Sequence, residues 1–221
     1  NIPSIVASII SEAAIRKDYI SEKVDTIYFG GGTPSLLTEL QIENILFGLH
    51  KNFKTNEEIE ITLEANPDDI TEAKLQQWKK MGINRLSIGV QSFAAADLHW
   101  MNRAHNDTMA IDSLHLATKY FDNISIDLIY GTPTLTDAQW IENMEQAIAL
   151  NISHLSCYAL TVEPKTALQI MIEKEQVSDV DADQQARHFE LLLATLESNG
   201  YEQYEISNFA KPNFRSKHNS S

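Results

Sequence analysis

Residues 28–37 read YFGGGTPSLL, which places three consecutive glycines and a Thr-Pro pair directly after the strand-like run VDTIYF. Glycine at the end of a strand indicates either a turn with positive φ or a backbone that another group approaches closely. The stretch lacks both the Gly-Lys-Ser/Thr of a Walker phosphate loop and the G-x-G-x-x-G of a dinucleotide fold. It therefore predicts either a tight strand-to-helix turn or a backbone edge that binds a small polar group.

Strand-like and helix-like segments alternate along the rest of the chain. Helical periodicity separates the apolar runs, and a repeated β-α pattern of this kind predicts a parallel sheet, either open or curled into a barrel. The apolar runs lie at residues 24–29, 59–65, 85–90, 124–130, 154–160 and 201–206. The helical stretches lie at residues 39–50, 71–81, 108–120, 137–150 and 181–199.

Three of the apolar runs alternate apolar with polar residues, so each predicted strand has one face of each kind. A sheet covered by helices on both faces has nearly continuous apolar strands instead. The alternation favours a barrel with a polar lumen, although a sheet with one solvent-exposed face also fits. Glu64, Gln91 and Asp127 lie at or near the C-terminal ends of the predicted strands. That is the edge of the sheet where α/β proteins bind their ligands.

Composition restricts the classes of function. The 221 residues include 17 basic and 31 acidic side chains, a net charge of −14, which disfavours nucleic acid as a partner. The length predicts one domain, and the absence of 18 consecutive apolar residues predicts no transmembrane segment. Cys157 is the only cysteine, which predicts inert packing for that residue, no metal site within this chain and a cytoplasmic protein.

Four polar side chains are candidates for ligand contacts. Glu64 suits hydrogen bonds from an amine or from hydroxyls, although an exposed loop acid also fits. Arg103 suits bidentate pairing with a carboxylate, although a surface salt bridge is the alternative. Asp127 lies in the apolar run SIDLIYG, where an acid costs free energy unless it is paired or faces a ligand. His218, in the polar stretch KHNSS, is typical of a solvated side chain.

Several segments together resemble the radical S-adenosylmethionine (SAM) proteins related to oxygen-independent coproporphyrinogen III oxidase, and the haem-chaperone branch fits best. The segments are YFGGGTPSLL, LEANPDDIT, NRLSIGVQSF, the pair Asn102-Arg103, NISIDLIYGTP, YEISNFA and RSKHNSS. They follow the family's order from about residue 26 to the end. The resemblance implies a partial (β/α)6 barrel that holds SAM and a [4Fe–4S] cluster at the C-terminal edge of its strands.

The resemblance also implies which residues contact SAM. Residues 31–33 would contact the methionine amino group, Arg103 would clamp the methionine carboxylate, and Thr161 would lie on the adenosyl side. Glu64, Gln91 and Asp127 would hold polar groups of SAM, including the ribose hydroxyls. The full set is Gly31, Gly32, Thr33, Glu64, Gln91, Arg103, Asp127 and Thr161. No residue is assigned a catalytic role.

The chain departs from the family at the cluster. The family binds its cluster with Cys-x3-Cys-x2-Cys in the loop after its first strand, and this sequence contains neither the motif nor that strand. We therefore expect residues 1–221 to form a single core domain that is incomplete at both ends. The cluster loop is expected upstream of residue 1 and a C-terminal domain beyond residue 221. We expect the segment alone neither to hold the cluster nor to cleave SAM.

Three functional hypotheses follow. In the chaperone branch a His-Asn-x-x-Tyr-Trp segment is associated with haem, so the resemblance implies that His218 contacts or ligates haem. Such a chaperone would bind haem and pass it to a haem-requiring protein. The alternative is an oxidase, which decarboxylates the propionates of coproporphyrinogen III with a 5′-deoxyadenosyl radical and needs an electron donor. The third is a non-radical barrel that binds another small polar ligand.

Overall fold

The computed structural model describes residues 2–220 as an α/β fold with one curled sheet. Its strands are β1 (Val24–Phe29), β2 (Thr55–Ala65), β3 (Arg85–Gln91), β4 (Ile124–Tyr130), β5 (His154–Ala159), β6 (Glu202–Glu205) and β7 (Asn208–Ala210). Its helices are α1 (Ile2–Ile15), α2 (Glu39–Asn52), α3 (Glu72–Lys80), α4 (Ala95–Trp100), α5 (Asp107–Ala117), α6 (Asp137–Ala149), α7 (Ala167–Glu173) and α8 (Ala182–Ser198). Short 3-10 turns span Pro34–Leu36, Pro67–Asp69 and His218–Ser220.

The strands are ordered β1-β2-β3-β4-β5-β7-β6 in one sheet. Neighbours from β1 to β5 pair in parallel, as the β-α pattern predicts. The run at residues 201–206 departs from that pattern, because it forms the first strand of an antiparallel hairpin with β7. It is β7 that joins the hairpin to β5. The five parallel strands confirm the predicted partial barrel.

Local sequence signals explain where the helices begin. Thr38 and Thr136 each form a capping box, in which the threonine side chain accepts a hydrogen bond from the third helical N–H. The side-chain oxygen of the glutamine at that third position accepts one from the backbone N–H of the threonine. Thr71 accepts in the same way from Lys74 N–H at the start of α3. These caps fix the helices that cover the outer face of the sheet.

The two faces of the sheet differ in polarity, as the alternation predicts. Leu63, Leu86 and Ile126 are fully buried on the apolar face that meets the helices. The opposite face is polar yet also buried: Arg85 is 2% exposed and His154 is 0% exposed. A solvent-exposed sheet face is therefore wrong, and the polar lumen is confirmed. Within residues 2–220, no helix combines the length and hydrophobicity needed to cross a membrane.

Candidate functional site

A pocket of about 200 Å³ opens at the C-terminal ends of the first parallel strands. Six of the residues named from the sequence line it together, and they come from four consecutive strand-to-helix units. The full lining is Gly32, Thr33, Pro34, Glu64, Ala65, Asn66, Ser87, Gly89, Gln91, Arg103 and Asp127. The pocket is rich in hydrogen-bonding groups and contains both signs of charge, so it suits a small zwitterionic or polyhydroxylated ligand.

The glycines after β1 form a turn and also leave space for neighbouring side chains, whereas binding of a small polar group by this backbone edge stays a prediction. Gly31 and Gly32 have φ of 75° and 69°, the left-handed region that glycine adopts most readily. At Gly30 the requirement is space, because a Cβ there would lie 2.5 Å from Tyr28 Cε1 and 3.0 Å from Glu64 Oε1. The segment is therefore both a turn and a point of close approach.

Glu64 is fixed at the pocket wall by two donors. The Tyr28 hydroxyl donates to Oε1 at 2.8 Å, and the Gly31 backbone N–H donates to Oε2 at 3.1 Å. The alternative of an exposed loop acid is wrong, because the carboxylate lines the pocket and both of its oxygens are engaged. Held in this way, it can accept a further hydrogen bond from an ammonium or hydroxyl group of a ligand.

Arg103 extends over the pocket from the loop between α4 and α5. One of its Nη2 hydrogen bonds goes to Asn66 Oδ1 at 3.2 Å, and another goes to the Gly89 carbonyl at 3.4 Å. Its Nε is buried without a hydrogen-bond partner among the described residues. Over residues 2–220 Arg103 forms no salt bridge, so the surface-pair alternative is wrong. A positioned guanidinium with an unused donor fits a carboxylate.

Gln91 occupies an unusual backbone position. Its φ is 70°, which side chains other than glycine seldom adopt, and the β3–β4 register shifts between Ile88 and Gln91. Irregularities of this kind occur often beside binding sites, where they re-aim a side chain. The end of β3 therefore directs Gln91 into the pocket at a cost in backbone conformation.

Asp127 lies deeper than the sequence predicts, at the middle of β4 rather than near its end. Burial, and after it the negative charge of Glu64, raise the pKa of Asp127 to about 6. At neutral pH the side chain is therefore mainly a carboxylate that accepts hydrogen bonds. Its acceptor oxygens suit ligand hydroxyls, which donate hydrogen bonds without adding a second negative charge.

Three of the named residues lie outside the pocket lining. Gly31 lies beside it and reaches the site through its hydrogen bond to Glu64. Thr161 is exposed, and its hydroxyl donates to the Ala159 carbonyl at 3.4 Å, so the pocket formed by the described residues does not include it. His218 stacks on Tyr28, with ring centroids 4.5 Å apart.

The sequence missed three contributors to the site. Asn66 orients Arg103 from 37 positions away, so the segment LEANPDDIT that contains it gave no local signal of the contact. Ser87 lines the pocket from the polar face of β3, which the alternation had marked. Tyr28 holds Glu64 from 36 positions away, and no local pattern indicates a contact of that kind.

A metal cluster does not fit the residues described here. From residue 2 to residue 220, no group of three or more His, Cys, Asp or Glu side chains is arranged to hold a metal ion. Cys157 is buried in β5, and burial raises the pKa of its thiol, which keeps it protonated and inert. The pocket, by contrast, matches SAM, because Glu64 faces it as an acceptor and Arg103 as a donor.

Comparison with known proteins shows the family of this chain. The sequence model of the Radical SAM superfamily matches residues 7–147. The heme chaperone HemW of Bacillus subtilis strain 168 is 38% identical over 196 residues, which are 88% of this chain and 52% of that protein. The heme chaperone HemW of Lactococcus lactis is 34% identical over 219 residues, 99% of this chain and 57% of that protein. The chain spans about half the length of these relatives.

A solved structure agrees with the sequence matches. The radical SAM enzyme coproporphyrinogen III oxidase from Escherichia coli aligns with a TM-score of 0.82 at 27% identity, over 96% of this chain and 49% of that one. The fold and the resemblance predicted from the sequence are thereby confirmed. The chain belongs to the Radical SAM superfamily.

Proposed function

We propose that this chain is the SAM-binding core of a haem chaperone. The observation that carries the proposal is the single pocket in which Glu64, Gln91, Arg103 and Asp127 converge. The relatives named as heme chaperones, at 34–38% identity, support the chaperone branch. The proposal includes a protein longer than residues 1–221, with the cluster cysteines upstream and a C-terminal domain downstream.

The residues of the pocket would each hold one part of SAM. Glu64 accepts from the methionine ammonium, and Arg103 pairs with the methionine carboxylate. Gln91 and Asp127 hold the ribose hydroxyls, and residues 31–33 supply the backbone edge along the methionine. When it is bound beside a reduced cluster, SAM supplies one-electron chemistry. The contribution of this chain is to bind and orient the cofactor.

The haem function would involve the C-terminal end of the chain. His218 is the proposed haem contact, and its ring lies 4.5 Å from that of Tyr28. The proposed partners are haem or a related porphyrin, a haem-receiving protein and an electron donor, all in the cytoplasm. The net charge of −14 supports the exclusion of nucleic acid as a partner.

An oxidase is the second candidate. The similarity to the coproporphyrinogen III oxidase from Escherichia coli favours it, but at 27% identity this similarity is lower than that to the chaperones. Anaerobic turnover of coproporphyrinogen III by the full-length protein separates the two hypotheses. Oxidative decarboxylation would overturn the chaperone proposal, whereas stoichiometric haem binding without turnover supports it.

The cofactor site is tested by SAM calorimetry on the full-length protein with its cluster reconstituted. Arg103→Met should raise the SAM Kd about 10- to 100-fold, because a charge-assisted hydrogen-bonded pair is lost. Arg187→Met is the matched control, since Arg187 is exposed and pairs on the surface with Asp137. Equal affinity of wild type and Arg103→Met would contradict the assignment.

The haem contact is tested by titration of the same protein, followed by the Soret band. His218→Ala should abolish or strongly weaken the stoichiometric complex, because the imidazole is the proposed contact. His115→Ala is the control, since His115 is an exposed residue of α5. Haem binding that survives His218→Ala unchanged would remove His218 from the site.

A further inference from the structure

The C-terminal segment connects the two ends of the curled sheet. Residues 216–219, named here the strap, lie between the hairpin and the first strands. On the hairpin side, the Ser216 backbone N–H donates to the Tyr204 hydroxyl at 3.2 Å. On the opposite side, the Lys217 backbone N–H donates to Glu60 Oε1 at 3.0 Å. The strap therefore has a defined position against β2 and β6.

This position places the His218 ring on Tyr28. The two rings are nearly parallel, with an interplanar angle of 22° and a centroid separation of 4.5 Å. The hydroxyl group of the same tyrosine donates a 2.8 Å hydrogen bond to Glu64 Oε1. One side chain therefore touches both the strap and a wall of the candidate cofactor pocket.

The link between Tyr28 and Glu64 is tightly built. Burial, together with the hydrogen bond and charge of Glu64, raises the pKa of Tyr28, so at neutral pH the phenol keeps the proton that it donates. The Gly31 N–H holds the second carboxylate oxygen at 3.1 Å. Gly30 leaves the necessary space, because a Cβ there would lie 2.5 Å from the Tyr28 ring.

We propose that Tyr28 is a positioning residue that couples occupancy of the pocket at Glu64 to the placement of the His218 ring. The inference deepens the proposed function and rests on it, because SAM is taken as the ligand at Glu64. An ammonium group bound to Glu64 reorients the carboxylate, and the phenol of Tyr28 moves with it because the two are hydrogen-bonded. The imidazole stacked on that phenol follows in turn. Linkage requires the reverse effect with the same free energy, so a ligand held by His218 changes the SAM affinity.

The test uses the full-length protein labelled with 13C-histidine, with its cluster reconstituted. The His218 signal is assigned by its loss in His218→Gln, and SAM addition should shift it in the wild type. Tyr28→Phe keeps the stacked ring but removes the donor to Glu64. This variant should reduce the SAM-induced shift at least about threefold and raise the SAM Kd about 3- to 10-fold.

Two further variants separate coupling from simple damage. Tyr28→Leu removes the ring, so the ring-current displacement of the His218 signal should disappear even without SAM. Tyr120→Phe is the matched control, because the Tyr120 hydroxyl also donates to a glutamate, Glu72, at the protein surface. It should leave the His218 signal and the SAM affinity unchanged.

The outcomes distinguish this inference from the function on which it rests. If wild type binds SAM and Tyr28→Phe shows the wild-type Kd and the wild-type shift of His218, the coupling is wrong and the cofactor site stands. If Tyr28→Phe only lowers the free energy of unfolding while the SAM-induced shift persists, the role of Tyr28 is structural and the proposal is overturned. A wild-type protein that does not bind SAM overturns both.

Discussion

At the residue scale, Gln91 combines an unfavourable backbone conformation with a position in the lining of the pocket. Its φ of 70° lies in the left-handed region, which costs a residue with a side chain roughly 1–2 kcal/mol. A strained conformation persists when the surrounding structure imposes it, and such positions cluster at functional sites. The conformation of Gln91 is therefore expected to serve binding rather than stability.

Replacing Gln91 with glycine separates these two roles. Gln91→Gly should leave the free energy of unfolding unchanged or raise it by up to about 1 kcal/mol, because glycine tolerates positive φ. The same change should weaken SAM binding about tenfold through the lost side-chain contact. Urea unfolding and calorimetry measure the two effects. Lys165→Gly, at an exposed position with φ of 68°, is the control that should change stability alone.

Asp127 makes stability depend on pH. Its pKa of about 6 lies above that of the unfolded chain, because of burial first and Glu64 second. The folded state therefore keeps a proton that the unfolded state has released above a pH of about 4. The contribution of this group to stability is complete below about pH 4, falls as the pH rises to about 6 and is constant above that.

Removing this titration should stabilise the protein at neutral pH. Asp127→Asn should raise the free energy of unfolding at pH 7 by about 1–2 kcal/mol, and the gain should vanish below about pH 4. Urea unfolding across this range measures it. Asp112→Asn, at an exposed position of α5, should follow the wild-type curve. A constant difference between Asp127→Asn and wild type at every pH would contradict the raised pKa.

The sequence predicted the site residues that a strand carries and missed those that depend on distant packing. Glu64 and Gln91 were found because each stands on the polar face of its strand, near the edge where ligands bind. The contact of Tyr28 with Glu64 joins residues 36 positions apart and has no periodic signature. Thr161 was assigned by resemblance alone, and its place in a SAM site stays a prediction.

The hairpin is the main departure at the scale of secondary-structure elements. The run at residues 201–206 was a correct strand prediction, but its pairing depends on β7, which spans only three residues and lies between β6 and β5. A strand that short falls below the length at which alternation can be recognised. Helix starts were more predictable, because Thr38 and Thr136 act through residues only three positions away.

The cap of α6 supports a prediction at this scale. Thr136→Ala removes the acceptor for the Gln139 N–H, 3.3 Å away, and should lower the free energy of unfolding by about 1 kcal/mol. Thr108→Ala is the matched change at an exposed position inside α5, where alanine is the better helix former. Chemical denaturation should show a loss for the first variant and no loss for the second. Equal stability of both variants would mean that the capping box contributes nothing to α6.

The polar lumen is the property that distinguishes the molecule as a whole. His154 lies inside it, with Nδ1 2.7 Å from Ser125 Oγ and Nε2 2.6 Å from the Tyr204 hydroxyl. Burial, and then the positive charge of Arg85, lower the pKa of His154 to about 3. The folded protein therefore keeps this histidine neutral while the unfolded chain takes up a proton below about pH 6.5. Its contribution to stability is complete above that pH and is lost as the pH falls towards 3.

His154 and Asp127 consequently act in opposite directions in mild acid. His154→Gln should lower the free energy of unfolding at pH 7, because the buried hydrogen bonds of the imidazole with Ser125 and Tyr204 are lost. In the wild type, proton uptake by His154 in the unfolded chain lowers the free energy of unfolding by about 2 kcal/mol between pH 6.5 and 5. This decrease should be absent in His154→Gln. Urea unfolding at the two pH values checks this, with the exposed His115→Gln as control. An unaltered pH slope in His154→Gln would show that His154 is not held neutral.

The alternating strands predicted the polar face of the sheet, because alternation of polar and apolar residues is a period-two property of the chain. They favoured a lumen but did not by themselves distinguish it from a face exposed to solvent. Closure by the strap was not predictable, because it depends on contacts between residues far apart in sequence. The cluster loop upstream of residue 1 and the C-terminal domain beyond residue 221 remain predictions.

The strap also has a consequence for the order in which the chain folds during synthesis. Lys217 follows its partner Glu60 by 157 positions. At a translation rate of about 5–20 residues per second, roughly 8–30 s pass between the synthesis of the two. The parallel strands therefore leave the ribosome with the lumen open on one side. The strap can close the lumen only after all of the parallel strands have been synthesised.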